Sequence, residues 1–357
     1  MFDNLSTGMH VPPAIALRRL IFGHRVTEMI AVATRLGLTD LLGDSTQSAA
    51  ELAPYIQVDA GALHRLLRAL ASVGIVVADE HNRFALTPIG QCLRRDAPDS
   101  QRAWVLLESA DFFQQAWAHL DTAVQTGTPA AEHALGMPFY QYMTSHADVG
   151  AIFQQAMAEA SQLAAEAVVA AYQIPPYARV VDVGGGYGTL LTAILQAHPT
   201  VHGVLFDRPE VVASARARLD TAGVLDRCEL IGGDFFTAVP AGGNIYILSR
   251  VLMDHEDARS RQILQNCHDA MAEDGRLLII QQVLPDAAGD TGLYDGAMSD
   301  LNMLIFLPGS ERTLSEYRAL LSATGFELTN TVSTRALMSI VEGTRIASTR
   351  AVAAAKR

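Results

Sequence analysis

The run Val180-Val181-Asp182-Val183-Gly184-Gly185-Gly186-Tyr187-Gly188 reads as a strand entering a glycine turn and then a helix. Glycines let the backbone come close to a ligand at the carboxyl edge of a sheet, which is where open α/β folds bind. The dinucleotide spacing G-x-G-x-x-G fails, because its last position falls on Thr189 counting from Gly184 and on Leu191 counting from Gly186. A nicotinamide site is therefore disfavoured. No Gly-Lys-Ser/Thr follows, so the loop is not a phosphate cradle either. The next β-branched run ends in Phe206-Asp207, where a carboxylate can accept both hydroxyls of a ribose. A third ends in Gly232-Gly233-Asp234-Phe235, where a carboxylate can take an adenine amino group and a ring can lie on the adenine face. Taken singly, Asp207 and Asp234 would be helix caps or turn residues; together the three strand ends point to an adenosine ligand without phosphates.

The elements that must carry these residues are legible from hydrophobic period. After residue 175, short β-branched runs at 180–183, 204–206, 229–231, 245–248 and 277–280 alternate with helical patterns, which predicts a parallel, doubly wound sheet. The N-terminal part reads differently. Residues 1–13 look like an arm, and apolar positions from Val26 to Leu36 predict a helix ending near Gly37. Ser48-Ala49-Ala50-Glu51 is a capping box, Asp59 can cap a second helix with Leu63, Leu66, Leu67 and Leu70 on one face, and residues 75–77 and 84–86 form a hairpin. Two helices and a hairpin make a winged helix. Residues 97–175 read as almost entirely helical. The expected organisation is a mainly α winged-helix domain at 14–96, a helical linker at 97–175, and a Rossmann-like α/β domain at 176–345, with a frayed tail from Arg350 to Arg357.

Composition limits the partners. Lys+Arg 26 against Asp+Glu 38 gives a net charge of −12, so no global positive field draws in nucleic acid or an anionic membrane. His64, Arg65 and Arg68 would be the exposed residues of the second winged-helix helix; with few basic neighbours they fit a solvated or subunit-facing surface better than a DNA-reading one. Charged residues make up 18% of the chain, below the roughly 25% usual for soluble domains, which agrees with surface buried in an oligomer. Cys92, Cys228 and Cys267 are scattered without metal or disulfide spacing, and no targeting or membrane-spanning segment is evident. A cytoplasmic protein without a metal, with a small or apolar partner, is expected.

In order along the chain, VVDVGGGYGTL, LFDRPEVV, GGDFF, SRVLMDHED, LLIIQQVLPD and DLNMLIFLPGSERTLSEYRALLSATGF resemble the class I S-adenosylmethionine-dependent small-molecule O-methyltransferases with a winged-helix dimerisation domain. The resemblance spans roughly residues 20–345, and it implies that 14–96 is a dimerisation domain of a homodimer and that 97–175 includes substrate-chamber helices. It implies methyl transfer to a small aromatic or polyketide-like metabolite, with Asp182, Gly184 and Gly186 at the methionine part of the cofactor, Asp207 at the ribose, Asp234 and Phe235 at adenine, and Arg250 against the cofactor. The departures concern mechanism. The family pattern S-[RK]-x-L-H-D-W carries a His that acts as general base; here Ser249-Arg250-Val251-Leu252-Met253-Asp254-His255 puts Met253 in that place. His255 stands where the pattern has Trp and, about 200° round a helix from Met253, is expected at the adenine side. The Glu that orients the family's His is Gln281 here, whereas Asp254 and Glu311 remain acidic, Glu311 with a structural or substrate-orienting role. Phe153, Met157, Met298, Asn302, Met303 and Phe306 are the expected walls of the substrate chamber. Without the His/Glu dyad, transfer would proceed by proximity. The alternative is a family member catalysing a non-methylating reaction, by dehydration, pericyclic or oxidative chemistry, or a C-methyltransferase.

Overall fold

The computed structural model describes residues 11–287 and 294–346; the expected C-terminal tail lies outside them. Packing divides the chain into two compact units. One holds the residues up to Gln114 together with His146–Glu159, the other Gln115–Ser145 together with the chain from Ala160 onward. The stretch 97–175 is thus shared between the two, and the long helix Ala147–Ala171 begins in the first and ends in the second.

In the first unit, helix Gly23–Arg35 is stopped at Gly37, whose φ of 68° is left-handed. Both arms of the capping box form: Ser48 Oγ accepts from Glu51 N at 3.3 Å, and Glu51 Oε2 accepts from Ser48 N at 2.7 Å. Asp59 caps helix Ala60–Ser72 through the Ala62 amide. Strands Val76–Ala78 and Arg83–Leu86 pair as a hairpin, and Gln47–Ser48 joins them as a third strand. Leu38, Leu52, Leu63, Leu67 and Phe84 form the core of this unit. His64 is half-buried with its ring 5.7 Å from that of Phe84, while Arg65 and Arg68 are exposed.

The second unit is built on a seven-stranded sheet: β1 (Arg179–Val183), β2 (His202–Asp207), β3 (Cys228–Gly232), β4 (Ile245–Ser249), β5 (Arg276–Gln281), β6 (Phe326–Ser333) and β7 (Ser339–Arg345). The spatial order is β6-β7-β5-β4-β1-β2-β3. The five expected strands are parallel, but β7 runs antiparallel to β5 and β6, so the sheet is mixed rather than wholly parallel. These last two strands are not among the expected ones: β6 carries an exposed polar sequence and an irregular register between Leu328 and Asn330, which hides the alternation of a half-buried strand.

Along the parallel strands successive side chains enter opposite apolar layers. Val180, Leu205, Ile247 and Ile280 pack on one face, and Val181, Phe206, Leu248 and Ile279 on the other. Burial on both faces explains why these strands read as continuous apolar runs. The strand order reverses between β1 and β4, so the crevice beyond their carboxyl ends is the place a ligand would be held.

Candidate active site

The glycine turn leaves β1 at that crevice. Gly184 has φ +71°, and its amide donates to the Phe206 carbonyl at 2.8 Å, tying the turn to β2. A Cβ there would lie 2.8 Å from Val251 Cγ2, so a side chain is excluded by both backbone conformation and space. Gly186, at φ +57°, donates its amide to Asp207 Oδ2 at 2.9 Å, and a Cβ on it would meet nothing within 4 Å. The loop is therefore held from behind and open in front.

Asp182 lies inside β1, 1% exposed, and neither of its carboxylate oxygens has a hydrogen-bond partner among the described residues. Burial, helped by the like charge of Asp207, raises its pKa to about 7. Two orphaned acceptor oxygens beside an open glycine turn are what an incoming ammonium group would satisfy, so this end of the crevice fits the amino-acid part of S-adenosylmethionine. Asp207 accepts from the amides of Gly186 and Arg208, at 2.9 and 2.7 Å. A carboxylate offers about four lone-pair sites, which leaves acceptor capacity for hydroxyls.

Asp234 is exposed and shapes a turn after β3, accepting from Phe236 N at 2.9 Å and from Thr237 Oγ1 at 3.3 Å. The turn presents Phe235, whose ring edge would be 3.5 Å from a Cβ on Gly184. Asn266 Nδ2 and Gln262 Nε2 donate to the carbonyls of Phe235 and Phe236 from helix Asp257–Ala270. His255 meets both rings, with centroids at 5.8 and 5.1 Å. Burial, then the charges of Arg259 and Arg312, depress its pKa to about 4, so His255 is neutral at pH 7. The structure thus brings His255 to the aromatic side, but not by the helical geometry expected: Leu252–Asp254 is a single 3-10 turn, and His255 follows it in extended backbone at φ −129° and ψ 142°.

That turn is set by two features. Arg250, directly after β4, takes a left-handed φ of 56° while its amide donates to Ile280 O at 3.0 Å. Arg312, 3% exposed, donates to the carbonyls of Leu252 and His255, each at 2.9 Å, and to Asp257 Oδ1. Gly309 presses on the same backbone so closely that a Cβ would overlap Met253 O. Met253 is 5% exposed. Beside this loop, Glu311 Oε1 accepts from Ser299 Oγ at 2.7 Å, and Glu311 Oε2 accepts from Gln281 Nε2 at 3.3 Å. Burial raises the Glu311 pKa against those two hydrogen bonds and the charge of Arg250. Gln281 and Glu311, singled out separately by sequence, are thus in contact.

On helix Tyr294–Phe306, Met298 is exposed, Asn302 accepts from Trp117 Nε1 at 3.3 Å, and Met303 and Phe306 are buried, Phe306 against Phe139 with centroids 5.0 Å apart. Phe153 and Met157 lie on the part of helix Ala147–Ala171 that belongs to the first unit. Tyr140 and Arg312 are absent from the residues chosen by sequence. Arg312 adjoins Glu311 in a run already singled out, but burial of its guanidinium has no sequence signature; Tyr140 carries none either.

A family model described as an O-methyltransferase domain matches residues 117–327, and an O-methyltransferase dimerisation domain matches residues 18–96. The chain is 41% identical over 342 residues to a phenazine O-methyltransferase from Lysobacter antibioticus, covering 96% of this chain and 99% of the relative. It is 42% identical over 312 residues to an O-demethylpuromycin-O-methyltransferase from Streptomyces alboniger, covering 87% and 83%. Among solved structures, the S-adenosylhomocysteine-bound form of CalO1, a methyltransferase in calicheamicin biosynthesis, superposes with a TM-score of 0.86 at 33% identity, covering 94% of this chain and 100% of that one. Matched along nearly its whole length in sequence and in fold, the chain belongs to the S-adenosylmethionine-dependent O-methyltransferases.

Proposed function

We propose that this enzyme transfers the methyl group of S-adenosylmethionine to a hydroxyl oxygen of a small aromatic or polyketide-like metabolite, without an imidazole base at position 253. The cofactor supplies an activated methyl group on a positively charged sulfur. Asp182, Gly184 and Gly186 hold its amino-acid part, Asp207 the ribose, and Asp234, Phe235 and His255 the adenine side, with Arg250 alongside. The observation that carries the mechanism is the buried thioether of Met253 in the turn after β4, next to a loop where Gln281 donates to Glu311. A thioether takes no proton, and Glu311 is engaged by Ser299 and Gln281. Alignment and exclusion of water then supply much of the acceleration. An acidic phenol suits such a site, and an unactivated alcohol lacks the help of an imidazole base, worth about 10²–10⁴-fold.

The names of the relatives support both the reaction and the acceptor class: each is named for methyl transfer, two of them for transfer to oxygen. They weigh against a non-methylating use of the bound cofactor. We also read the N-terminal helices and hairpin as a winged helix that pairs two copies of the chain, in line with the dimerisation model at 18–96; a cytoplasmic location rests on the sequence alone. The test is calorimetric titration with S-adenosylmethionine and S-adenosylhomocysteine, followed by mass spectrometry of a phenol and polyketide panel. Binding with gain of one methyl at oxygen is expected. Tight cofactor binding without any methylated product across the panel would count against transfer to this acceptor class.

A further inference from the structure

Loss of the residue-253 imidazole leaves the acceptor's hydroxyl proton without a destination, and the structure offers one at the next residue. Asp254 closes the 252–254 turn, and its Oδ2 accepts the Tyr140 hydroxyl at 2.9 Å from helix Phe139–Ser145. Both side chains line a cleft of about 270 Å³ whose walls include Phe139 and Phe306, apolar surface against which an aromatic ring can pack. His255 and Glu132 reach the same cleft, whereas Met253 and Glu311 are not among its lining residues. We propose that Asp254, oriented by the Tyr140 hydroxyl, takes the proton of the acceptor's hydroxyl group; the inference rests on the methyl-transfer reading above.

The step balances. As the acceptor oxygen bonds to the methyl carbon, the carbon–sulfur bond breaks with its electron pair kept by sulfur, the O–H proton passes to the Asp254 carboxylate, and the resulting acid returns it to water. The groups that face Asp254 set its range. Burial raises its pKa to about 6, opposed by the Tyr140 hydrogen bond and the charge of Arg250 at the end of β4. Glu132, on helix Ala130–Leu135, lines the same cleft, and the charges of Arg250 and Arg208 act on Tyr140. Such a carboxyl is ionised at neutral pH and still basic enough for proton transfer. The rival in the cleft, His255, has its pKa pushed down to about 4 and its ring engaged with Phe235 and Phe236.

The probe is 4-nitrophenol bound together with S-adenosylhomocysteine, whose phenolate absorption reports the proton without any turnover. In the wild type above pH 6, ionised Asp254 accepts a hydrogen bond from the neutral phenol and repels the phenolate, so the bound phenol ionises at higher pH than in Asp254→Asn, by about one unit, or tenfold in the ratio of phenolate to phenol. In Tyr140→Phe, Asp254 loses the donor that favours its charged form, and its influence on the phenol sets in at higher pH. Equal ionisation of the bound phenol in wild type and Asp254→Asn would overturn the proposal. So would failure of 4-nitrophenol to bind beside S-adenosylhomocysteine, because the cleft then accepts no phenolic ring. Failure of S-adenosylhomocysteine itself to bind would strike the cofactor assignment and remove the ground of this inference with it.

Discussion

A carboxylate inside an apolar sheet layer lowers stability until a cation arrives to pair with it, and Asp182 is in that position. Its folded-state pKa of about 7 lies above the unfolded value of roughly 3.9, so its contribution to stability is fully present below about pH 4 and is lost as pH rises through 7. The ligand-free enzyme should therefore melt lower at pH 8 than at pH 5 on this account. Asp182→Asn should raise the ligand-free Tm at pH 8 while leaving it nearly unchanged at pH 4, and weaken S-adenosylhomocysteine binding about ten- to a hundredfold. Melting curves and calorimetry check both; an unaltered affinity would remove Asp182 from the cofactor site. This residue was legible, because an acid just before a glycine turn at a strand end has few uses. The Asp254–Tyr140 pair was not, since its members are 114 residues apart and neither helix period nor turn chemistry links them. The Gln281–Glu311 contact was not legible either: nothing local connects the two, and the resemblance singled out each position without pairing them.

At the scale of elements, the turn that presents residues 253–255 is held by its neighbours rather than by its own sequence. Arg312 satisfies two carbonyls of the turn and pairs with Asp257, and the helix behind it, Leu314–Ser322, starts in a capping box between Thr313 and Glu316. A lysine keeps the charge but not the planar fork that reaches Leu252 O and His255 O together. Arg312→Lys should cost roughly 1–3 kcal/mol of stability and lower kcat more than it raises the Kd for S-adenosylhomocysteine, because the positions proposed for the cofactor on β1 and β2 do not depend on it. Chemical denaturation and single-turnover rates measure the two effects; an unchanged kcat would mean that the turn keeps its geometry without the clamp. The same dependence explains what could be read in advance. Helix stops at Gly37, caps at Ser48 and Asp59, and five parallel strands follow from local rules that each residue obeys by itself. The 3-10 turn and the β6–β7 edge hairpin follow from tertiary partners, so a helical direction was assigned to His255 where the chain is extended, and a wholly parallel sheet where it is mixed.

For the molecule as a whole, the unit with the winged-helix pattern carries apolar surface that its own core does not use. Helix Pro13–Ile21 buries no residue, and Leu17, Leu20 and Ile21 are 58%, 56% and 60% exposed. Their i, i+3, i+4 spacing makes one stripe, and the dimerisation model at 18–96 takes in two of the three. A second copy of the chain is the occupant that this points to, whereas a net charge of −12 gives nucleic acid no electrostatic reason to bind. Burying a leucine side chain is worth about 1.5–3 kcal/mol, so replacing two of them per copy with aspartate should weaken self-association by at least two decades in Kd. Sedimentation at micromolar concentration is expected to show a dimer for the wild type and a monomer for Leu17→Asp with Leu20→Asp, with circular dichroism confirming that the helices persist. A double variant that still sediments as a dimer would move the interface off this helix, and a monomeric wild type would leave the dimerisation unit without the partner that its exposed stripe requires.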